Sequence, residues 1–98
     1  MTGSFLRRTR YASFTLDEIC AEMRTTFPQG TTWRAISDQL DQMNFEHPDQ
    51  PGEIGNAWGI LRDDGGGNLV VRTIRVDFQL DAQQRLNSLE CTEWLTGM

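Results

Sequence analysis

Residues 68–95 show the most regular alternation of apolar and polar side chains in the chain. The apolar side chains of the first half share one parity: Val70, Ile74, Val76, Phe78 and Leu80. The polar side chains share the other: Thr73, Arg75, Asp77 and Gln79. A period of two is typical of a strand with one buried and one solvated face. We therefore predict a strand over about residues 69–80, a turn at "DAQQ" and another strand over about residues 85–94.

Two features refine this strand prediction. In the last strand Leu89 and Cys91 share a parity that Leu86 does not, which predicts a bulge near Asn87 and Ser88. A further strand is predicted from residue 54, where one parity carries Ile54, Trp58 and Ile60 and the other carries Gly55, Ala57 and Gly59. The segment "DDGGGN" at residues 63–68 is expected to be the hairpin tip that joins this strand to the next.

Two segments before the strands have helical spacing. The first is predicted over residues 16–26, where Thr15 and Glu18 form a capping box and Phe14 and Ile19 form a hydrophobic staple. "PQG" breaks this helix, and Thr31 or Thr32 can cap a second one that ends near residue 43. The apolar stripe of the second helix is Trp33, Ile36, Leu40 and Met43.

The element order is helix, helix, strand, strand, strand, with a loop at residues 46–53. An antiparallel meander with one apolar face needs a cover, and the two helices supply it. We therefore expect an α+β fold in which two N-terminal helices pack on a three-stranded antiparallel β-meander, as two layers. Residues 14–98 form this single domain, and residues 1–13 are expected to be a flexible basic arm.

Composition narrows the function classes. The 98-residue chain carries a net charge of −5, which argues against nucleic acid as a partner, since binding phosphates needs a basic surface. No apolar run is long enough for a transmembrane segment. As written, the chain is expected to be cytoplasmic; if residues 1–4 replaced a native leader, we expect it in the periplasm or envelope.

The reactive side chains do not form a familiar motif. Cys20 and Cys91 fit neither a metal-ligand spacing nor a CxxC pair. We expect both to be small core residues, with a disulfide between the first helix and the last strand as the alternative. His47 is the only histidine, and pairing it with one of these thiols and Asp49 gives a rival hypothesis, a small Cys/His enzyme. Asp63, Asp64 and Asn68 lack the alternating ligands of a calcium loop. The prediction is a protein without catalytic residues, cofactor or metal.

The tryptophans favour a binding surface. Trp33 is predicted to be in the core, Trp58 could face either the core or the exposed side of the sheet, and Trp94 is predicted to point outward. With the exposed Arg75 and Asp77, Trp58 and Trp94 make the candidate partner surface. Arg72 shares the parity of the buried positions, so it must lie at the sheet margin or pair with an acid, for which Glu53 and Asp63 are the expected partners.

Short motifs add a resemblance. The first motif is a Gly-Thr step, Gly30 and Thr31, which opens the second helix in "FPQGTTWRAISDQLDQMNF". The second motif lies in a late strand and consists of Val76, Phe78, Asp81 and Leu86. In these residues the chain resembles the SmpA/OmlA (BamE-like) family of small envelope lipoproteins. In that family a G-[TS] step opens the second helix and a late strand reads roughly V-x-F-x-x-D-x-x-G-x-L. Gln84 stands where that glycine usually falls, and Asn44 stands where a helix-ending glycine is common.

The resemblance covers residues 16–95 and implies both a fold and a role. It implies the two-helix, three-strand domain and an accessory role in the bacterial envelope, as a non-enzymatic module that binds an unidentified protein. The same fold also occurs in inhibitor and immunity proteins of toxins or enzymes, which is the alternative. We expect a monomer or a weak homodimer that pairs through an edge strand.

Overall fold

The predicted order of elements is confirmed. The computed structural model describes residues 14–63 and 71–96, with the side chain of residue 63 excepted. The elements are α1 (Leu16–Thr26), α2 (Trp33–Gln42), β1 (Asn56–Asp63), β2 (Val71–Leu80) and β3 (Leu86–Thr96). The strands form one antiparallel sheet in the order β1-β2-β3. The predicted arm at residues 1–13 and the hairpin tip beyond residue 63 lie outside the described residues.

Both helices begin at the predicted caps. The Thr15 hydroxyl accepts a hydrogen bond from the backbone N–H of Glu18, and the Glu18 carboxylate accepts one from the backbone N–H of Thr15. This reciprocal pair is the predicted capping box. Of the two candidates for the second cap, Thr32 is the one used, because its hydroxyl accepts from Ala35 N.

One hydrophobic cluster joins the helices to the sheet. Phe27, which follows α1, and Trp33 at the start of α2 make edge-to-face contacts with Phe78 of β2, with ring centroids 5.6 and 6.3 Å apart. The predicted face of β2 is buried at Ile74, Val76, Phe78 and Leu80. The apolar stripe of α2 is buried at Trp33, Ile36, Leu40 and Met43. The two periodicities in the sequence therefore identify the two sides of one core.

The first strand turns its glycine and alanine inward. Ala57 and Gly59 are buried, whereas Trp58 lies on the opposite face and is half-buried. A Cβ atom at Gly59 would lie 3.2 Å from both terminal methyl groups of Leu40. Helix α2 therefore comes so close to β1 at Gly59 that a larger side chain would not fit there. Further along the same face, where this restriction does not apply, Leu61 packs against the core.

The first strand begins later than predicted. Ile54 is not part of a strand and is 77% exposed. Gly55 has φ +80°, and its carbonyl accepts a hydrogen bond from the backbone N–H of Leu80. Glycine adopts this left-handed conformation without steric cost. The chain thus turns at Gly55 and enters the sheet at Asn56.

A bulge lies where the parity of β3 breaks. The register between β2 and β3 shifts after Gln79 and leaves Asn87 as the additional residue on β3. Because of this shift Leu86 and Leu89 are both buried, although they are three positions apart. The predicted bulge is therefore confirmed.

The turn between β2 and β3 is built around an aspartate. One carboxylate oxygen of Asp81 accepts hydrogen bonds from the backbone N–H groups of Gln83 and Arg85. The backbone N–H of Gln84 donates a hydrogen bond to the Asp81 carbonyl. The backbone of Gln84 has a positive φ of 61°. A turn followed by a left-handed residue is a common three-residue hairpin connection, and glycine is the residue best suited to its last position.

The connection between the helices is hydrogen-bonded to the start of β3. Gly30 N donates to Leu86 O, and Leu86 N donates to Thr31 O, both at 2.8 Å. A third bond joins Trp33 N to Gln84 O. The Gly-Thr step in the sequence therefore serves two purposes, because it precedes the α2 cap and also pairs with the outer edge of β3.

The expectation for the cysteines needs correction, and Arg72 has a partner that the sequence pattern did not indicate. Cys20 and Cys91 are joined in a disulfide between α1 and β3 rather than being separate thiols. Arg72 pairs with Glu93 of β3 at 2.5 Å and also donates to the Phe14 carbonyl. Glu53 lies at the opposite end of the sheet, and the side chain of Asp63 is outside the described part. Alternation along one strand does not reveal the Glu93 partner, because that contact depends on which strands are neighbours.

The disulfide is expected to be a large contributor to stability. It joins residues 71 positions apart, and closing a loop of this length stabilises a folded chain by about 4 kcal/mol in the chain-entropy model. We expect the Cys20→Ala/Cys91→Ala double variant to lose about that much unfolding free energy, measured by urea denaturation. Equal stability of the variant and the oxidised wild type would contradict the bridge.

Replacing Gln84 by glycine is expected to stabilise the domain. A left-handed conformation costs a non-glycine residue about 1–2 kcal/mol, and the greater freedom of glycine in the unfolded chain offsets part of the gain. We expect Gln84→Gly to raise the unfolding free energy by about 0.5–1 kcal/mol. Gln83→Gly is the matched control, because Gln83 is exposed in the same turn without a positive φ. No gain from Gln84→Gly relative to this control would contradict the turn geometry.

Candidate protein-binding surface

The face of the sheet that points away from the helices carries the predicted surface residues. Trp58 of β1 lies opposite Asp77 of β2, and Ile60 lies opposite Arg75. On the other side of β2, Trp94 of β3 lies opposite Thr73. The alternation of a strand places all of these side chains on the outer face. The open question about Trp58 is thereby resolved in favour of the outer face.

Three of the four predicted residues form one contact group, which we call the outer-face cluster: Trp58, Arg75 and Asp77. The Nε of Arg75 donates to Oδ1 of Asp77 at 2.8 Å. Its guanidinium carbon lies 6.0 Å from the centroid of the Trp58 ring, within the range of a cation–π contact. The aspartate and the ring hold the guanidinium in place, while its remaining N–H groups can donate to a partner's carbonyl or carboxylate oxygens.

The charge pair in this cluster adds little to stability. The side chains of Arg75 and Asp77 are 38% and 44% exposed, and ion pairs with this exposure contribute only about 0–1 kcal/mol. The ordering of Arg75 by Asp77 therefore contributes little to folding. Arginine and tryptophan are the residue types most enriched at binding hot spots.

Trp94 lies apart from the outer-face cluster. It stands four register positions along β2 from Asp77 and on the far edge strand, roughly 15 Å from Trp58 by strand geometry. Trp94 is 46% exposed and its neighbour Leu95 is 66% exposed. These two large apolar residues form an exposed end of β3. A partner that contacts both Trp58 and Trp94 would have to span the width of the sheet.

Two further residues of this face were not among the predicted surface residues. Ile60 lies between Trp58 and Arg62 on the outer side of β1, and its parity with Trp58 was the available signal. Thr73 shares the outer parity but is only 4% exposed. Its two register neighbours are Arg62 and Trp94. Alternation alone cannot show that a polar position on a solvated face is covered.

Among the described residues, the outer edge of β3 is hydrogen-bonded to other segments only near the start of the strand. Leu86 is bonded to the connection between the helices, and the Leu89 carbonyl accepts from the guanidinium of Arg24. The alternation of an antiparallel ladder points the backbone groups of Glu93 and Leu95 the same way. Within residues 14–63 and 71–96, no backbone hydrogen bond reaches those groups. As far as the described residues go, the last part of β3 is thus a free edge beside Trp94.

The first strand has a shorter free edge. The backbone groups of Ile60 exchange two hydrogen bonds with Glu46, at 2.8 and 2.9 Å. The side chain of Glu46 also pairs with Arg62. A short bridging segment of this kind protects an edge strand from pairing with another chain. Of the two edges, β3 is therefore the better place for an incoming strand.

His47 has no contact with a thiol. Its Nε2 lies 2.6 Å from a carboxylate oxygen of Asp41, and its Nδ1 lies 2.8 Å from the Pro48 carbonyl. The Cys20–Cys91 disulfide occupies both sulfur atoms that the rival enzyme hypothesis requires. The structure thus does not assemble the Cys/His pair. Among the described residues no group of three or more His, Cys, Asp or Glu side chains could hold a metal ion.

His47 instead lies between two hydrogen-bond acceptors. Both of its partners, a carbonyl and a carboxylate, are acceptors, and only the protonated ring can donate to both at once. Burial opposes the charged ring, but the Pro48 carbonyl, the Asp41 carboxylate and the nearby charge of Asp49 outweigh it, and the pKa of His47 is raised above 6.5. The ring also makes an edge-to-face contact with Trp33. His47 therefore connects the end of α2 to the following loop.

Comparison with known proteins gives no family for the chain. No protein-family model, curated protein or solved structure matches it. In the part of the chain that the structure describes, no helix is long and apolar enough to cross a membrane.

The His47 contact predicts a dependence of stability on pH. Because the folded-state pKa is raised, the contribution of protonated His47 is complete below the ordinary value of 6.5 and is lost as the pH rises through the folded-state pKa. We expect the difference in unfolding free energy between wild type and His47→Gln to shrink over that rise. Urea unfolding at a series of pH values measures it, and a constant difference from about pH 5 to about pH 9 would contradict the contact.

Proposed function

We propose that this chain is a non-enzymatic protein-binding module that binds its partner through the outer face of its sheet. The observation that carries the proposal is the outer-face cluster, in which Arg75 is ordered by Trp58 and Asp77. Trp94, exposed on the same face, extends this surface across the sheet. Aromatic and arginine anchors on a rigid strand lose little conformational freedom when a partner binds.

The opposite face offers no comparable surface. Its side chains form one buried cluster with apolar residues of the helices. A partner that approaches the sheet must therefore meet the outer face or an edge. The free end of β3 gives such a partner backbone donors and acceptors, and Trp94 gives it an adjacent side chain to recognise, as in β-strand addition.

We further propose that the module is a BamE-like accessory protein of the bacterial envelope. The order of two helices and three antiparallel strands is the one that this resemblance implies. At the two positions where the family commonly has glycine, Asn44 and Gln84 have φ of 64° and 61°. Glycine is favoured at these angles. This agreement supports the alignment of the chain with the family pattern, because it depends on backbone geometry and not on residue identity.

The disulfide supports the same setting. Disulfides persist in oxidising compartments such as the bacterial periplasm and are rare in the cytosol. A bridge between α1 and β3 is therefore in keeping with a protein that works in the envelope. The proposed location is the periplasm.

The test is capture of a partner by surface variants. The N-terminally tagged chain is incubated with periplasmic and membrane fractions of the native host, and bound proteins are quantified by mass spectrometry. We expect at least one envelope protein to be retained by wild type and lost from the Arg75→Glu and Trp94→Ala variants, since a hot-spot substitution weakens binding by about tenfold or more.

Arg34→Glu is the matched control, because Arg34 is exposed on α2 and lies away from the outer face. This control should retain the same partner as wild type. Equal retention by all variants would overturn the proposed surface. Recovery of one toxin or enzyme whose activity the chain blocks would instead establish the inhibitor role.

A further inference from the structure

The guanidinium of Arg24 lies against the disulfide. Arg24 is one helical turn after Cys20, and its Nη1 lies 3.1 Å from the Cys20 sulfur. Its Nη2 donates to the Leu89 carbonyl at 3.3 Å. Among the described residues no carboxylate lies within 4.0 Å of this guanidinium. Its positive charge is thus directed at a sulfur atom and not neutralised by a contacting acid.

The two sulfur-bearing residues differ in their access to solvent. Cys20 is 7% exposed, whereas Cys91 is half-buried. Both line a surface groove between α1 and β3, together with Arg24 and the carboxylates of Asp17 and Glu90. A small thiol or the tip of a protein dithiol can therefore reach the more exposed Cys91 through this groove, whereas Cys20 is nearly inaccessible to solvent.

We propose that the Cys20–Cys91 disulfide is a thiol–disulfide exchange site, at which a dithiol reductant attacks Cys91 and Arg24 stabilises the departing thiolate of Cys20. This inference does not depend on the proposed binding function. It assigns to Arg24 a role that neither the capping nor the core packing of α1 requires. The ligand class is a dithiol, either a small molecule or a protein.

The exchange proceeds in two balanced steps. One thiolate of the dithiol bonds to the Cys91 sulfur, the Cys20–Cys91 bond breaks, and its electron pair leaves on Cys20 as a thiolate. The second thiolate of the dithiol then attacks the dithiol sulfur that is bonded to Cys91. This releases Cys91, which takes a proton from water. The dithiol is oxidised to a disulfide, and the protein is reduced to a Cys91 thiol and a Cys20 thiolate, which Arg24 contacts.

The charge of Arg24 favours the reduced state for a simple reason. In the disulfide the Cys20 sulfur is neutral and accepts only a weak hydrogen bond, whereas the thiolate accepts a charge-assisted one from the same guanidinium. Cationic neighbours are the usual cause of reactive cysteine sulfurs in proteins. The negative charges of Asp17 and Glu90 in the groove act against this effect. The arginine is in direct contact with the sulfur, so its influence is expected to dominate.

The first experiment measures the rate of reduction of the folded protein by dithiothreitol at neutral pH. We expect Arg24→Gln to slow the reduction by about fivefold, because it removes the charge at the leaving sulfur. Arg24→Lys should retain part of the wild-type rate. Arg34→Gln, an exposed arginine on α2, is the control and should react as wild type does. Equal rates for wild type and Arg24→Gln would overturn the role of Arg24.

Equilibration with glutathione redox buffers separates this role from a structural one. The Arg24→Gln variant should have a more negative midpoint potential than wild type, whereas a bond to the Leu89 carbonyl alone would leave the potential unchanged. Circular dichroism before reduction checks that each variant is folded. If Arg24→Gln does not fold, Arg24→Lys and wild type still give the comparison.

A further experiment identifies which sulfur is attacked, and it needs only the wild-type protein. Brief exposure to excess reduced glutathione, followed by iodoacetamide, marks the two cysteines differently, and peptide mass spectrometry locates each mark. We expect glutathione on Cys91 and the acetamide group on Cys20. The reverse distribution, or no mixed disulfide in the folded protein, would overturn the proposed exchange site.

Discussion

The contact between the apolar face of β2 and the two helices is the constraint on which the rest of the structure depends. Ile74, Val76 and Phe78 are each at most 1% exposed, and burying side chains of this size contributes about 1.5–3 kcal/mol each. A three-stranded sheet cannot cover such a face by itself. The helices must therefore be held against it, and the connections between the elements provide that attachment.

These attachments are made at both edge strands of the sheet. The connection between the helices bonds to Leu86 of β3, and α1 is joined to β3 by the disulfide and by Arg24. On the β1 side, Gly59 allows α2 to approach closely, and Glu46 bridges to Ile60. The outer face and the last residues of β3 are left free of these connections. The requirements of folding thus determine which surface is available to a partner.

Much of this arrangement could be predicted from alternation and capping alone. The capping box at Thr15, the buried face of β2 and the bulge at Asn87 all follow from local patterns whose physical causes act over a few residues. The outward position of Trp94 follows from the same rule of alternation. These features needed no knowledge of which strands are neighbours.

The features that the sequence did not predict depend on contacts between residues far apart in the chain. Local spacing could not show that Arg72 pairs with Glu93, because the two residues come together only through the β2–β3 register. The same is true of the disulfide, since the 71 positions between its cysteines carry no local signal. In β1 the choice of inner face depended on the space that α2 leaves at Gly59. The contact of Arg75 with Trp58 likewise required the pairing of β1 with β2.

Oxidative footprinting of the three tryptophans tests whether a partner binds to the outer face of the sheet. The measurement is made on the free chain and on its complex with a captured partner. Trp33 is an internal control, because it is 3% exposed in the core. We predict that Trp58 and Trp94 are modified in the free chain and protected in the complex, while Trp33 is protected in both. Unchanged modification of Trp58 and Trp94 on binding would contradict a partner surface on the outer face of the sheet.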